Sequence, residues 1–290
     1  MSEGGTATAI PRRFDPRELR GQVSRLKRVP TLPKLLERVV VALDDPEVDF
    51  NRVAELIEVD QALSSQILRL ANSAFYGAQG SVSQVSRALL ILGATVTRSI
   101  VLTTSVVDIR SVGLKGFWEH SLGCAVAAGA IAKVTGRAAP EEVSAAGLLH
   151  DLGKVVLFKE LPEAFAHVVA RAAAEGRRFR EVECELLGVD HSEIASWMVD
   201  RWNFPPCLAE PIVFHHAPLR AKRAPDETAI VHVANIVVRV LDFGSGGDDR
   251  LPAVEPKAIE RLGLTPDLLD RALELFDTDL DHALNYALFE

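Results

Sequence analysis

The chain has 290 residues, 48% of them hydrophobic and 25% charged, with a formal net charge of −8 and an isoelectric point near 5.6. This composition is that of a globular protein, and the acidic balance argues against a surface for nucleic acid or anionic membrane. Cys124, Cys184 and Cys207 lie far apart without a CxxC spacing and predict reduced thiols. Because it lacks an apolar N-terminal stretch and any run of about 18 apolar residues, the chain is predicted to be cytoplasmic and not membrane-associated.

The elements along the chain are all predicted to be helices. Thr31 and Pro33 are residue types that begin helices, Asp60 is a candidate N-cap of a later helix, and Gly93 is a candidate helix end before a very apolar helix. Apolar residues recur three and four positions apart, and no segment alternates with period two. The basic residues between positions 12 and 28 are interpreted as a solvated helix face rather than a nucleic-acid-binding arm.

Breaks in this helical pattern divide the chain into four predicted segments. Gly113 and Gly116 mark a junction, and Gly244, Gly246 and Gly247 mark a flexible break. The segments are a disordered N-terminal arm (1–20), an N-terminal helical subdomain (21–110), a second helical subdomain (111–243) and a C-terminal helical appendage (244–290).

One stretch of the second subdomain combines residues suited to metal chemistry. The segment Ala146–Lys154 contains the doublet His150 and Asp151 inside an apolar run, on a helix predicted over residues 140 to about 159. An imidazole nitrogen and a carboxylate oxygen are a suitable ligand pair for a divalent metal. Because buried charge is costly without a partner, the doublet needs a counter-charge, which a metal ion or the nearby Lys154 would supply.

Six of the eight histidines could converge with Asp151: His120, His150, His191, His215, His216 and His232. Neutral imidazole is a common ligand for zinc, iron, nickel and cobalt. Several imidazoles with one carboxylate could hold one or two such ions and generate a bound hydroxide near neutral pH. Each histidine by itself is also explained as a capping, surface or hydrogen-bonded core residue, and His167 and His282 are assigned to that structural class.

These residues resemble the HD superfamily of metal-dependent phosphohydrolases, and more closely its HDOD branch, the HD-related output domain. The resemblance extends from about Leu32 to Asn235. In the N-terminal half it rests on Leu32-Pro33, Asp60–Leu63, Leu68–Ser73 and Ser86–Gly93. In the C-terminal half it rests on Trp118–Ser121, Ala146–Lys154, Gly188–His191, Trp202–Pro205, His215-His216 and Ala234-Asn235. It implies an all-α fold in which a multi-helix N-terminal bundle packs on an HD-like helical domain.

In catalytic relatives, the metals are held at the positions that match His120, His150, Asp151, His191, His215 and His216. Lys154 matches a lysine that these relatives use near phosphate. Two carboxylates are missing, because Asn235 stands at the position of a closing aspartate and Gly116 at that of a glutamate. Since Asp151 is then the one anionic ligand among the matched positions, two divalent ions would leave buried positive charge uncompensated. A single divalent transition metal is therefore expected, of iron, manganese, zinc or nickel.

The expected function is that of a non-catalytic regulatory module in bacterial signal transduction, which the resemblance to the HDOD branch implies. Such a module would bind signalling proteins or a ligand, for example a nucleotide or a cyclic dinucleotide. The alternative is a metal-dependent phosphohydrolase acting on a nucleotide or cyclic nucleotide, in which Asp151 and Lys154 would be the catalytic residues. Nucleic-acid binding by the basic N-terminal residues is disfavoured by the acidic total charge.

Overall fold

The computed structural model describes residues 34–45, 47–71, 82–104 and 113–287. Helices account for most of these residues, and the described segments contain no β-strand, so the predicted all-α class is confirmed. None of the helices in these segments is long and apolar enough to cross a membrane. The predicted N-terminal arm and the predicted helix start at Thr31 and Pro33 lie outside the described residues.

The N-terminal part of the described fold is built from α1 (Lys34–Leu43), α2 (Phe50–Glu58), α3 (Gln61–Ala71) and α4 (Val85–Thr104). As predicted, Asp60 caps α3, and its carboxylate accepts a hydrogen bond from the Leu63 amide at 3.1 Å. Gly93 interrupts α4 with φ +72° and ψ 167°, which confirms the predicted break. Helices α1, α2 and α3 pack against α4, and their apolar faces form one core with it.

The C-terminal part continues as a series of helices, most of them joined by short turns. They are α5 (Phe117–Thr135), α6 (Pro140–Leu149), α7 (Leu152–Glu160), α8 (Pro162–Glu175), α9 (Phe179–Leu187), α10 (His191–Arg201), α11 (Pro206–Phe214), α12 (Pro225–Val240), α13 (Pro256–Leu262) and α14 (Pro266–Ala287). The sequence predicts that Gly176 and Gly263 close the helices before them, and both residues end α8 and α13 in the left-handed conformation. The sequence pattern predicts a last helix from Pro266 to Phe276, but α14 continues well beyond Phe276.

Helix α5 lies at the centre of the C-terminal part, where α6, α12 and α14 pack against it. Most of its residues are small and buried. Gly147 of α6 lies directly against α5, because a Cβ at this position would come within 2.6 Å of the Cys124 carbonyl oxygen. This close approach brings His150, at the end of α6, next to His120 on α5, with their ring centroids 5.2 Å apart.

The prediction of one helix over residues 140–159 is wrong. Helix α6 ends at Leu149 and α7 begins at Leu152, with the His150-Asp151 doublet between them. Asp151 leaves the helical conformation (φ −94°, ψ 19°). The cause is long-range packing, since Gly153 in the first turn of α7 lies so close to His191 that a Cβ would overlap the His191 carbonyl oxygen. Contact of α7 with α10 therefore decides the chain direction here, and the local apolar pattern carries no information about it.

Arg98 on α4 connects the N-terminal and C-terminal parts through polar contacts. The side chain is almost completely buried. Its Nε pairs with an Asp44 carboxylate oxygen at 2.7 Å, and its two terminal nitrogens donate to the backbone carbonyls of Asn203 at 3.0 Å and Trp202 at 3.1 Å. One guanidinium thus satisfies two carbonyls at the end of α10 that the helix itself leaves unpaired.

Replacing Arg98 with methionine is expected to lower the free energy of unfolding by about 2–3 kcal/mol, because these carbonyls lose a charged donor while the side-chain volume is nearly kept. Asp44→Asn is the matched control, since the Asp44 side chain is 53% exposed and exposed ion pairs contribute about 0–1 kcal/mol. Urea unfolding followed by circular dichroism measures both variants. If both variants lost the same free energy of unfolding, the ion pair, and not the carbonyl contacts, would connect the two parts.

Candidate metal centre

Six residues predicted for a metal site meet in one place, with Asp151 at the centre. The other five are His120, His150, His191, His215 and His216. Helix ends supply most of them, because His150 and His215 follow the last residues of α6 and α11, and His191 is the first residue of α10. Asp151 and four of the five histidines are at most 2% exposed, and His216 is partly buried.

The two carboxylate oxygens of Asp151 face different histidines. Oδ2 lies 3.4 Å from His150 Nε2 and 3.8 Å from His120 Nε2. Oδ1 lies 3.3 Å from His191 Nε2 and 3.9 Å from His215 Nε2. We call the cluster of Asp151 and the five histidines around it the centre. It therefore has two sides, which we call the Oδ2 side and the Oδ1 side.

Backbone carbonyls hold the outer ring nitrogens of two of these histidines. His150 Nδ1 donates to the Gly147 carbonyl at 2.7 Å, and His215 Nδ1 donates to the Ile212 carbonyl at 2.9 Å. Because a carbonyl oxygen can only accept, each contact fixes the ring proton on Nδ1. The lone pair of each Nε2 atom then points into the centre, which is the arrangement of a metal-binding histidine.

A buried carboxylate performs the same role for His191. Glu183 on α9 is fully buried and accepts from His191 Nδ1 at 2.6 Å and from the His191 amide at 3.2 Å. Such a carboxylate fixes the ring orientation and increases the basicity of the inward nitrogen. Glu183 was not predicted, because it belongs to no motif around His191 and only the packing of α9 on α10 brings it there.

The inward atoms of the centre lack the hydrogen bonds that buried polar atoms need. Among the described residues, His150 Nε2, His215 Nε2 and Asp151 Oδ1 are buried without a hydrogen-bond partner. The inward Nε2 of His191 faces His216 Nε2 at 3.0 Å. A proton on His216 Nε2 makes this contact a hydrogen bond, whereas each of the three unpaired buried acceptors costs about 1–3 kcal/mol. A divalent cation would satisfy the acceptors on the side of Asp151 where it binds, and imidazole nitrogen with carboxylate oxygen is a common donor set for transition metals. The residues therefore fit a metal ion.

The potential ligand atoms form three overlapping groups, each with all atoms within 4.8 Å of one another. These groups are His120 with Cys124 and His150, His191 with His215 and His216, and His150 with Asp151 and His215. The first group includes a thiol that was not predicted as a ligand, although Cys124 follows His120 by one helical turn. That spacing is the signal from which it could have been found.

Lys154, one of the two counter-charges that the sequence allows, pairs with Asp151. Its Nζ donates to Asp151 Oδ2 at 2.7 Å and to the Gly246 carbonyl at 2.7 Å, and the residue is 4% exposed. Burial opposes the ionisation of Asp151, but Lys154 and the other polar neighbours of the carboxyl outweigh it and hold the pKa of the Asp151 carboxyl well below its usual range. Two hydrogen bonds therefore hold the Lys154 side chain in place inside the protein.

Burial also keeps the surrounding imidazoles neutral. It lowers the pKa of His120, His215 and His216 well below the ordinary value, and in each case a neighbouring histidine lowers the pKa further. A neutral imidazole is the form that binds a metal, so these side chains are ready to act as ligands without first losing a proton.

The metal-free protein is expected to lose stability as the pH falls below about 6.5. In the unfolded chain these three histidines bind protons in that range, whereas in the folded protein they stay neutral, so the unfolded state takes up more protons. The slope is expected to reach at most about 4 kcal/mol per pH unit, and Asp151 adds to it only below about pH 4. Urea unfolding in chelator between about pH 8 and pH 5 measures the slope. A flat profile would contradict a cluster of buried neutral imidazoles.

Two further candidates lie beside the cluster in different roles. His232 Nδ1 donates to the His215 carbonyl at 2.7 Å, and its Nε2 accepts from the Glu255 amide at 3.0 Å, so both ring nitrogens serve the fold. Asn235 is buried, and its Oδ1 has no hydrogen-bond partner among the described residues. It contributes a neutral oxygen near the centre, without the charge that an aspartate would bring.

A loop after α12, which we call the strap (residues 244–253), covers the centre. Its Ser245 amide donates to the Gly116 carbonyl at 2.8 Å, and its Asp248 carboxylate accepts from the Phe179 amide at 2.8 Å. Its carbonyl at Gly246 binds Lys154, as described above. The strap falls in the segment that the sequence predicts as a C-terminal appendage, and no local pattern indicates that this segment reaches the centre.

A basic cavity of about 100 Å³ lies beside the Oδ1 side of the centre. Its lining includes Lys154, Arg178, Arg180, Arg239, Arg250 and His216. Four of these cations are paired with carboxylates, namely Lys154 with Asp151 at 2.7 Å, Arg178 with Glu181 at 3.8 Å, Arg180 with Asp190 at 2.6 Å and Arg239 with Asp248 at 2.7 Å. The cavity reaches the outer histidines, and the Asp151 carboxylate is not part of its lining.

Comparison with known proteins extends the resemblance seen in the sequence. The family model of the HDOD domain matches residues 29–218, more than half of the chain. The crystal structure of an HDOD domain protein from Geobacter sulfurreducens is similar, with a TM-score of 0.63 and 28% sequence identity, and the match covers 93% of this chain and 96% of that one.

Two further solved structures share the fold. A protein from Marinobacter aquaeolei VT8, named for a proposed role in signal transduction, has a TM-score of 0.69 at 20% identity, with 94% of this chain and 66% of that chain covered. A protein from Shewanella amazonensis SB2B, named as a proposed phosphohydrolase, has a TM-score of 0.67 at 23% identity, with 91% and 97% covered. At these identities the likeness shows the fold alone.

A curated relative from Treponema pallidum (strain Nichols) is 28% identical over 226 residues, which are 75% of this chain and 44% of the relative. The chain thus spans less than half the length of that protein. The family match includes the N-terminal helices, the His150-Asp151 doublet, His191 and the His215-His216 pair. Together with the all-α fold and the convergence of these side chains, it leads to one assignment. The chain belongs to the HDOD family.

Proposed function

We propose that this chain is a non-catalytic regulatory module of signal transduction, which acts by binding a protein partner or a ligand and whose histidine centre holds one divalent transition metal. The observation that carries the proposal is the closed state of the centre. Asp151 and the four histidines nearest to it are at most 2% exposed. Structural metal sites are closed by protein ligands, whereas catalytic sites keep a position open for water or substrate.

The buried charges support one ion rather than two. Asp151 and Glu183 are buried carboxylates and Lys154 is a buried ammonium group, so the metal-free centre carries one negative charge. One divalent ion changes this to one positive charge, and a second ion would leave three. Uncompensated buried charge of that size is costly, and Asn235 brings no charge to offset it.

Lys154 offers a route by which the centre could affect the surface. It donates both to Asp151 and to the Gly246 carbonyl of the strap. A cation bound to the Asp151 carboxylate would compete with the lysine for the same oxygen and repel it. Metal binding is therefore proposed to change how firmly the strap is held, which would link occupancy of the centre to partner or ligand binding.

The test compares metal content and hydrolysis in wild type and Asp151→Asn, a control that keeps the side-chain shape and removes the charge. Each protein is loaded with manganese, iron, zinc or nickel and incubated with phosphomonoesters, cyclic nucleotides and cyclic dinucleotides. We expect about one ion per chain in wild type, a lower content in the variant, and no difference in turnover. Metal-dependent hydrolysis that wild type shows and Asp151→Asn lacks would contradict the proposal.

The alternative function, a metal-dependent phosphohydrolase, is favoured by the basic cavity beside the centre. Its lysine and arginine side chains would attract an anionic phosphoester, and His191 and His216 line the same cavity. In this case Asp151 and Lys154 would be the catalytic residues, and the strap would have to move to expose them. The same substrate panel separates the two functions, because only the alternative requires turnover that depends on Asp151.

A further inference from the structure

Cys124 completes a ligand group on the Oδ2 side of Asp151. It lies one helical turn after His120 on α5 and is fully buried, and its Sγ is 3.7 Å from His120 Nε2. The Cys124 sulfur and one ring nitrogen each of His120 and His150 all lie within 4.8 Å of one another. Because His150 Nε2 is buried and unpaired, the group contains a lone pair that is directed at the space among the three side chains.

Three of the separations among these ligand atoms can be compared with those around one tetrahedral ion. Zinc–nitrogen and zinc–oxygen bonds of about 2.0–2.1 Å place such ligand atoms about 3.4 Å apart, and a zinc–sulfur bond of about 2.3 Å places sulfur and nitrogen about 3.6 Å apart. The separations are 3.4 Å from Asp151 Oδ2 to His150 Nε2, 3.8 Å from Asp151 Oδ2 to His120 Nε2, and 3.7 Å from Cys124 Sγ to His120 Nε2. Asp151 does not lie within 4.8 Å of all three of the other ligand atoms, so its carboxylate would have to shift towards Cys124 to complete the tetrahedron.

A thiolate at this position also corrects the buried charge. With Asp151, Glu183 and Lys154 counted, one divalent ion leaves the centre with one positive charge, and a thiolate on Cys124 reduces the total to zero. The sulfur would thus replace a carboxylate that Gly116 and Asn235 do not provide. The charge balance favours sulfur ligation and a single ion together.

Without a metal, Cys124 is a small apolar side chain in an alanine-rich helix. Burial, with a smaller contribution from the Asp151 carboxylate, raises the pKa of the Cys124 thiol well above its ordinary value. A thiolate therefore forms only when a metal ion displaces the proton, which passes to solvent. Packing alone would explain a buried cysteine, but it leaves the unpaired nitrogen of His150 unexplained.

We propose that Cys124 is a metal ligand, and that His120, Cys124, His150 and Asp151 form a closed tetrahedral site for Zn²⁺. Thiolate sulfur favours zinc over the harder Mn²⁺, and four protein ligands are the usual number in structural zinc sites. The inference rests on the metal-binding part of the proposed function and deepens it by naming the ion and its ligands.

Cobalt substitution tests sulfur ligation in the full chain. Co²⁺ occupies zinc sites, and its thiolate complexes have a charge-transfer absorption in the near ultraviolet. We expect this absorption in wild type and in Cys184→Ser, and its absence in Cys124→Ser, which should also bind zinc roughly 100-fold or more weakly. Cys184 is exposed and lies outside the centre, so it is the matched control. Absorption that persists in Cys124→Ser would overturn the inference.

X-ray absorption spectroscopy of the zinc-loaded wild type needs no variant, so it decides the question even if Cys124→Ser fails to fold. We expect one sulfur at about 2.3 Å and nitrogen or oxygen atoms at about 2.0–2.1 Å from zinc. Bound zinc with nitrogen and oxygen neighbours alone would overturn the inference and leave the proposed function intact. Failure to take up any metal would overturn the inference together with the metal-binding part of the proposed function.

Discussion

Replacing Lys154 with methionine is expected to lower the free energy of unfolding of the metal-free protein by about 3–5 kcal/mol. Methionine nearly keeps the side-chain volume, but Asp151 loses its 2.7 Å ion pair and the strap carbonyl of Gly246 loses its donor. Because Asp151 is almost fully buried, water cannot easily replace the ammonium group. Urea unfolding in the presence of chelator, followed by circular dichroism, measures the loss.

Zinc is expected to reverse most of the loss caused by Lys154→Met. In wild type the ion competes with Lys154 for the Asp151 carboxylate, whereas in the variant that competition is absent, so the variant should bind zinc more tightly and gain more stability from it. Lys257→Met, an exposed position on α13, is the control and should stay within about 0.5 kcal/mol of wild type. Equal losses with and without zinc would show that the ion does not bind Asp151.

Gly153→Ala is expected to destabilise the protein by about 3 kcal/mol or more and to abolish metal binding. The added Cβ would overlap the His191 carbonyl oxygen, and a clash with backbone cannot be relieved by a change of rotamer. Helices α7 and α10 would have to separate, which would move His191 away from Asp151. Soluble yield, urea unfolding and zinc content measure the effect.

Gly136→Ala is the matched control for this substitution. Gly136 has φ +63°, but a Cβ there would meet no atom within 4 Å, so only the left-handed backbone conformation opposes alanine, at a cost of about 1–2 kcal/mol. This variant should bind zinc as wild type does. If Gly153→Ala were no more destabilising than Gly136→Ala, the close contact between α7 and α10 would not be essential to the fold.

Much of the helical framework is predictable from local sequence. Asp60, Gly93, Gly176 and Gly263 mark helix boundaries at the places where the structure has them. A cap or a left-handed glycine acts within one helical turn, so its effect depends on a few neighbouring residues and not on the rest of the fold. The all-α class follows from the same local pattern.

The prediction is weaker wherever distant parts of the chain meet. The continuous helix through His150 and Asp151 is wrong, because the apolar run contains no sign that α7 turns to contact α10. Glu183 was missed for the same reason. The strap was assigned to a terminal appendage, although its Gly246 carbonyl binds Lys154, which is 92 positions earlier in the chain.

The sequence by itself determined the helical class, the principal breaks between helices, the set of histidines with Asp151, and the loss of charge at Asn235 and Gly116. Only the tertiary structure decided that these histidines face one carboxylate from two sides, that their outer nitrogens are held by the fold, and that Cys124 shares the space with them. The physical reason is that capping and helix periodicity act over a few residues, whereas a ligand cluster depends on the relative placement of five helices and a loop. That placement is set by packing contacts such as those of Gly147 and Gly153, where the absence of a side chain lets two helices meet.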